Sequence, residues 1–212
     1  DGLFLQFEGA AHRIDLKELT GKGVMVYGQH EVVKDLIAAR LADGEVIRFN
    51  CEDVQVHGLE SERPVISYLH EGVTHEIACD FIAGCDGFHG ICRASIPSDA
   101  LTLYERVYPF GWLGVLARTP PASHELIYAN HDDGFALLSM RSPEISRLYL
   151  QCPPDADLAD WPDTRIWEEL DARLARDDGF RLTPGPILQK SVTAMRSFVC
   201  EPMRFGRLML AG

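Results

Sequence analysis

Four polar side chains in residues 126–149 have the chemistry to hold a small aromatic acid at both ends. Ser139 and Arg141 are two residues apart in an apparent strand, and residues i and i+2 of a strand point to the same face. A planar guanidinium can bind a carboxylate through two parallel hydrogen bonds, and a serine hydroxyl can add a third. Tyr128 and Tyr149 add phenolic groups on the flanking strands. A tyrosine beside a bound phenol can accept its proton.

The same residues also permit purely structural roles. Arg141 could lie at a solvated edge and pair with Glu144 or with an aspartate. Tyr128 could be a core tyrosine whose hydroxyl is satisfied by the backbone. Spacing and periodicity alone favour these structural roles, because a motif in a single sequence is weak evidence.

A second cluster, Asp86–Arg93, predicts a tight glycine turn that leads into a short helix. His89 and Arg93 place two cationic or titratable groups within a helical turn of each other. Such a helix start can bind a pyrophosphate or the phosphate of an adenosine ribose. The alternative is an ordinary connection between a strand and a helix.

The pattern of apolar residues along the chain predicts a mixed α/β fold with an open antiparallel sheet backed by a helix. Apolar residues at helical spacing predict helices from Gln29 to about Gly44 and from about Pro162 to Arg176. The segments expected as strands are Leu3–Phe7, His12–Leu16, Val24–Gly28, Glu45–Phe49, Asp53–His57, Val65–Leu69, Leu101–Tyr108, Gly111–Arg118, His124–Asn130, Phe135–Arg141 and Ser146–Cys152. The three from Glu45 to Leu69 should form an antiparallel meander.

Composition excludes several classes of partner. The net charge of −12 over 212 residues argues against nucleic acid, since phosphate binding needs a basic surface. We expect no membrane partner, because no apolar run approaches the length of a span. The eight histidines are scattered, so we expect no metal site. The six cysteines form no Cys-x-x-Cys pair, which is typical of reduced thiols and favours a cytoplasmic location.

Five blocks of this chain resemble the 4-hydroxybenzoate 3-monooxygenase (p-hydroxybenzoate hydroxylase) family of single-component FAD-dependent aromatic hydroxylases. They are Asp86–Gly90, Glu105–Gly114, His124–His131, Ser139–Arg141 and Arg196–Phe198. The resemblance extends over essentially the whole chain, and it favours ligand-binding roles for Tyr128 and Arg141 over the structural ones. It implies NADPH- and O2-dependent hydroxylation of 4-hydroxybenzoate at the 3-position, which yields 3,4-dihydroxybenzoate.

Matching positions imply a role for each site residue. Ser139, Arg141 and Tyr149 would hold the substrate carboxylate, with Met140 lining the pocket, and Tyr128 would be the catalytic residue that hydrogen-bonds the phenol. The implied cofactor contacts are Gln29 and Arg147 for FAD; His89, Arg93 and Arg196 for NADPH; and Asp86 for the dinucleotide turn. Met140 occupies a position where the family has glutamine.

The family pattern also implies a domain organisation. Residues 1–100 would be part of an FAD-binding domain, 101–202 a substrate-binding domain, and 203–212 a strand that returns to the first. The glycine-rich Gly-x-Gly-x-x-Gly unit of the family does not occur in the chain, and its Gly-Asp-x-x-His segment should begin at Gly212. We therefore expect the central section of a longer polypeptide.

Two other functions stay open at this point. One is a sister flavin hydroxylase that acts on another phenolic acid. The other is a catalytically silent fragment that keeps only an aromatic-acid pocket. A homodimer is compatible with either.

Overall fold

The computed structural model describes residues 1–211 and divides into two compact units. Residues 1–35 and 107–196 form the first unit, and residues 36–106 with those from 197 onward form the second. The segment expected to begin at Gly212 lies outside the described residues. The units are bounded differently from the expected domains, because residues 1–35 lie with the large sheet.

Both units are built mainly from strands. In chain order the strands are β1 (Leu3–Phe7), β2 (Ala10–Ile14), β3 (Glu52–His57), β4 (Val65–His70), β5 (Val73–Ala78), β6 (Ile82–Gly84), β7 (Thr102–Ala117), β8 (Leu126–Ala129), β9 (Ala136–Ser142), β10 (Ile145–Cys152), β11 (Ile187–Glu201), β12 (Arg204–Phe205) and β13 (Leu208–Leu210). The helices are α1 (Leu16–Thr20), α2 (Gln29–Ala42), α3 (Ile91–Ala94) and α4 (Asp163–Arg173), with 3-10 turns at Ser98–Ala100 and Leu158–Asp160.

The first unit contains a seven-stranded sheet in the order β11-β7-β10-β9-β8-β1-β2. Strands β7, β10, β9 and β8 pair antiparallel in succession, and β1 joins β8 in parallel. The predicted antiparallel sheet is therefore confirmed, with one parallel pair at the junction with the N-terminal hairpin.

One face of this sheet packs against α4. In β10 the buried residues alternate strictly with half-buried ones, as a strand with a single core-facing side requires. Leu148 and Leu150 from β10 join Ile166 and Leu170 from α4 in one core cluster. Each such side chain contributes about 1.5–3 kcal/mol when removed from water. The opposite face of the sheet is left for polar and aromatic side chains.

The helix is also attached to the sheet by a buried arginine. Arg173 is only 5% exposed. It donates one hydrogen bond to the carbonyl oxygen of Gln151 in β10, at 2.8 Å, and another to the Glu169 carboxylate, also at 2.8 Å. Because a buried charge needs a partner, the Glu169 pair lets Arg173 stay inside and hold β10 against the helix.

The second unit contains two small sheets. The antiparallel sheet β3-β4-β5 lies beside the sheet β12-β13-β6, in which β13 and β6 run parallel. Their shared core includes Ile82 from β6, Cys92 from α3 and Leu208 from β13. No helix within residues 1–211 is both long enough and apolar enough to cross a membrane.

Several expected elements differ from the structure. Residues 23–28 and 45–49 were expected as strands, but both are irregular. Most of their apolar side chains are exposed, Met25 and Val46 among them, and within residues 1–211 neither segment pairs with another strand. The meander accordingly consists of β3, β4 and β5. The expected strands Leu101–Tyr108 and Gly111–Arg118 are one continuous strand, β7. Helix α2 is confirmed from Gln29 to Ala42.

Candidate active site

Strand register brings two of the predicted tyrosines into one row on the open face of the sheet. Leu137 in β9 lies directly opposite Tyr128 in β8 on one side and Tyr149 in β10 on the other. All three are half-buried and alternate with residues of the core. The two tyrosine backbones are therefore two strand spacings apart, roughly 9.5 Å. Their side chains project from the face that α4 does not cover.

Ser139 and Arg147 form the next row of the same face. They are directly opposite each other, and the Ser139 hydroxyl donates to the Arg147 carbonyl oxygen at 3.3 Å. The Arg147 guanidinium lies 4.8 Å from the centre of the Tyr149 ring, a separation at which cation and ring attract each other. Ser139 is buried, so its hydroxyl has little access to bulk water.

Arg141 is placed by a β-bulge. Met140 pairs with Ser146 and Ser142 pairs with Ile145, which leaves Arg141 as the extra residue. Bulges commonly redirect a side chain beside a binding site. Arg141 is exposed and makes no hydrogen bond or ion pair with any residue from 1 to 211. The alternative partner, Glu144, instead accepts a hydrogen bond from the Ser142 hydroxyl at 3.0 Å. All five donors of Arg141 are thus available to a ligand.

Met140 differs from the other predicted substrate contacts. Alternation along β9 gives it the same orientation as Leu138, which is buried in the core with α4. Its side chain is therefore directed to the face opposite Ser139. The register supports contacts from Tyr128, Ser139 and Tyr149 on the open face, but it gives Met140 no position there.

A cleft of about 460 Å³ opens beside Arg141 and Arg147. Its other walls include Gly28 and His30, which flank Gln29 at the start of α2. Gln29 does not line the cleft itself. The two guanidinium groups favour an anionic or strongly polar ligand, and the first turn of a helix has unpaired backbone N–H groups that favour the same charge. Of the two predicted FAD contacts, Arg147 lines this cleft, whereas Gln29 lies between two of its wall residues without lining it.

Tyr27, which also lines the cleft, is bound to a carboxylate. Its hydroxyl donates to Asp35 in α2. This hydrogen bond raises the pKa of Tyr27 above its usual value, with a smaller contribution from burial. The phenol is therefore kept protonated beside the cleft, where it can act as a hydrogen-bond group but not as a base.

In the second unit, Asp86 has a structural partner. Its carboxylate accepts the backbone N–H of Cys92 at 2.9 Å and so caps α3. Burial is the largest single influence and opposes ionisation of Asp86, but the hydrogen bonds from Cys92 and from the backbone of Asp86 and Ile91 together outweigh it and lower the pKa of Asp86. Burial, together with this carboxylate, raises the pKa of the Cys92 thiol to about 11. A Cβ at Gly90 would lie 2.0 Å from the Asp86 carboxyl carbon, so the turn requires glycine there.

The predicted NADPH contacts are distributed over both units. Arg93 lies between the rings of Phe88 and Phe198, at 5.2 and 4.9 Å from their centres, and donates to the Phe88 carbonyl oxygen at 2.9 Å. His89 is exposed and packs edge-on against Phe88. Both belong to the second unit, whereas Arg196 is an exposed residue of β11 in the first unit.

Three residues of the open face were missed by the sequence analysis. Phe135 lies 6.0 Å from the Tyr128 ring and 5.2 Å from the Trp112 ring, centre to centre. Gly114 is opposite Tyr149, and a Cβ there would lie 2.7 Å from the Arg147 guanidinium. Alternation could have found Trp112 and Gly114 within β7, and Phe135 lies two residues before Leu137. The sequence did not show the register of the strands, which places these residues beside Tyr128 and Tyr149.

Comparison with known proteins identifies the family of the chain. A model of the family described as FAD binding domain matches residues 2–212. The chain belongs to the FAD binding domain family. The same family membership accounts for the mixed α/β fold, which was predicted from the sequence.

Relatives of this FAD binding domain chain include aromatic hydroxylases. It is 49% identical over its 212 residues to the p-hydroxybenzoate hydroxylase of Acinetobacter baylyi and spans 52% of that protein. The chain thus spans about half the length of the curated relative. The predicted resemblance is confirmed.

Solved structures share the fold over the whole chain. Aklavinone-11 hydroxylase in complex with FAD and aklavinone has a TM-score of 0.73 at 16% identity, with 43% of that protein covered. The p-nitrophenol 4-monooxygenase of Pseudomonas putida also has a TM-score of 0.73 at 16% identity, with 54% covered. At these identities the likeness shows the fold alone.

Proposed function

We propose that the protein carrying this chain is an FAD-dependent monooxygenase that converts 4-hydroxybenzoate to 3,4-dihydroxybenzoate with NADPH and O2. The observation that carries the proposal is the open face of the sheet, where Tyr128 and Tyr149 flank Leu137 and the unpaired Arg141 follows on the same strand. The 49% identity to a p-hydroxybenzoate hydroxylase supports the substrate.

The carboxylate end of the substrate is bound by the bulged arginine. Arg141 offers a planar fork with no competing partner among residues 1–211, and such a fork binds a carboxylate through two parallel hydrogen bonds. The Ser139 hydroxyl donates to the substrate carboxylate in place of the Arg147 carbonyl oxygen. Its existing hydrogen bond to that carbonyl oxygen is long, at 3.3 Å. The Tyr149 hydroxyl is the third group that binds the substrate carboxylate. Met140 contributes through packing behind the strand.

The phenol end lies against Tyr128. One strand spacing and two residues along the strand separate Tyr128 from Ser139, a backbone distance of roughly 8 Å that suits one benzoate ring between them. The ring of Phe135 borders Tyr128, and the ring of Trp112 packs against Phe135, so the two rings would exclude water at this end. The Tyr128 hydroxyl would donate a hydrogen bond to the substrate oxygen and stabilise its phenolate form once the phenol proton has passed to solvent, which increases electron density on the ring carbon beside that oxygen, the carbon that is hydroxylated.

The cleft beside Arg147 suits FAD. Gln29 would bind it at the start of α2, and Arg147 would lie near the flavin. The chemistry supplied by bound FAD is the transfer of electrons from NADPH to O2. The protein holds the aromatic acid against the cofactor and keeps water away from both.

NADPH is assigned to His89, Arg93 and Arg196. One N–H group of Arg93 donates to the Phe88 carbonyl oxygen, and the other donors of its guanidinium would bind a phosphate. Asp86 acts indirectly in this proposal, because its carboxylate caps α3 and shapes the turn. A cytoplasmic location is part of the proposal, since all six cysteines are unpaired.

Purified protein carrying this chain should be yellow and should form 3,4-dihydroxybenzoate from 4-hydroxybenzoate and NADPH, as followed by chromatography and NADPH absorbance. Parallel reactions with NADH, with 4-hydroxyphenylacetate and with 2-hydroxybenzoate separate this function from that of a sister hydroxylase. Faster turnover of another phenolic acid would reassign the substrate. A colourless protein that binds 4-hydroxybenzoate without turnover would indicate a silent binding fragment.

A further inference from the structure

Phe135 occupies a special position at the start of β9. It is half-buried and contacts both Tyr128 and Trp112 through its ring. It follows Gly134, which has φ +108, in a region that favours glycine. Its ring borders the residue to which the phenol of the substrate is assigned. The position of this ring thus defines one wall beside Tyr128.

The backbone of Phe135 is held by a single residue, Gln151. The carbonyl oxygen of Phe135 accepts the backbone N–H of Gln151 at 2.9 Å. The N–H of Phe135 donates to the side-chain oxygen of Gln151 at 3.3 Å. One glutamine therefore uses its main chain and its side chain to hold both polar groups of one phenylalanine. A hydrophobic residue at 151 would leave the Phe135 N–H without its partner.

Gln151 is in turn fixed from the core. Its carbonyl oxygen accepts a hydrogen bond from the buried Arg173 at 2.8 Å. A Cβ on Gly134 would lie 3.2 Å from the Cβ of Gln151 and 3.3 Å from the Arg173 guanidinium, so the turn before Phe135 packs closely onto both. This series of contacts connects helix α4 to strand β10 through Arg173, and strand β10 to Phe135 through Gln151.

We propose that Gln151 is a positioning residue that acts through Phe135 to align Tyr128 with the phenol of the bound aromatic acid. This proposal rests on the proposed function and assigns roles to two residues that the substrate contacts do not include. Phe135 sets the width of the pocket at the phenol end, and Gln151 keeps its ring from moving. The carboxylate end, at Arg141, is independent of this series.

Gln151→Met removes the hydrogen bond to Phe135 at nearly constant volume and tests the proposal. In the complete FAD-loaded protein we expect 3,4-dihydroxybenzoate formed per NADPH consumed to fall at least threefold. The dissociation constant of 4-hydroxybenzoate should change less than twofold. Gln151→Glu keeps an acceptor oxygen and should retain more than half of the coupling. Gln55→Met, at an exposed position of β3, is the matched control and should behave like the parent.

Phe135→Leu distinguishes positioning from general stability. If Gln151 acts through Phe135, the double variant with Gln151→Met should couple no worse than Phe135→Leu alone, because the two effects share one pathway. If the losses of coupling in the two single variants multiply in the double variant, the proposal is overturned. It is also overturned if Gln151→Met lowers FAD content, melting temperature and substrate affinity to the same extent as it lowers coupling. Absence of product from the parent protein would instead refute the proposed function. Difference spectra of bound 4-hydroxybenzoate then test the alignment, since Gln151→Met should change its phenol ionisation while Gln55→Met should not.

Discussion

Replacing Arg141 with lysine should weaken aromatic-acid binding without weakening the fold. Arg141 is exposed and makes no hydrogen bond or ion pair within residues 1–211. Its loss should therefore change the free energy of unfolding by no more than about 0.5 kcal/mol, as for an ordinary surface substitution. Lysine keeps the positive charge, but it cannot form the two parallel hydrogen bonds that the guanidinium makes with a carboxylate.

The expected loss of affinity follows from those hydrogen bonds. A hydrogen bond to a charged group contributes about 1.5–3 kcal/mol, so loss of one should raise the dissociation constant roughly 10- to 150-fold. Isothermal titration with 4-hydroxybenzoate gives this constant, and urea unfolding gives the stability. Arg48→Lys, at an exposed position of the second unit, is the matched control.

A ligand without a carboxylate sharpens the experiment. The affinity for 4-hydroxybenzamide, which lacks the anionic end, should differ little between the parent and Arg141→Lys. Unchanged affinity of Arg141→Lys for 4-hydroxybenzoate would remove this residue from the binding site. A large loss of stability would show that Arg141 has a structural role that the bulged strand does not reveal.

Three further changes test other parts of the structure. Tyr128→Phe should leave 4-hydroxybenzoate affinity within a few-fold and lower product formed per NADPH consumed; unchanged coupling would mean that Tyr128 only packs. Gly114→Ala places a Cβ 2.7 Å from the Arg147 guanidinium, the mobile end of a long side chain, so Arg147 should leave the Tyr149 ring and the free energy of unfolding should fall by only about 0.5–1 kcal/mol; a much larger loss in urea unfolding would contradict that geometry. The hydrogen bond from Arg13 lowers the pKa of Glu125 to about 2, so this pair stabilises the fold above the ordinary glutamate pKa and loses its effect as pH falls towards 2. Glu125→Gln should accordingly lower the melting temperature at pH 7 but not at pH 2, and an equal deficit at both values would rule out the ion pair as the cause.

The sequence alone determined which side chains of β9 and β10 share a face. Alternation is a local property of an extended chain, so the residues on each face of a single strand could be identified from the sequence, whereas the pairing of β9 with β10 showed that Ser139 and Tyr149 share the open face. The same holds for α4, where Ile166 and Leu170 recur at helical spacing and are buried together. Residue types predicted the chemistry at Tyr128 and Arg141, and the family resemblance gave these residues their expected ligands.

The tertiary structure determined strand pairing, the β-bulge and the contacts between distant residues, which the local sequence pattern does not specify. Residues 23–28 have strand-forming composition but no strand, because a strand is stable only when a neighbour accepts its hydrogen bonds. The availability of Arg141 depends on a bulge, which is a property of the pairing of β9 with β10. Gln151 and Phe135 are sixteen residues apart, and only the register of the sheet brings them together beside Tyr128. Spacing along the chain predicts faces, whereas contacts between strands follow from the pairing that the whole sheet makes favourable.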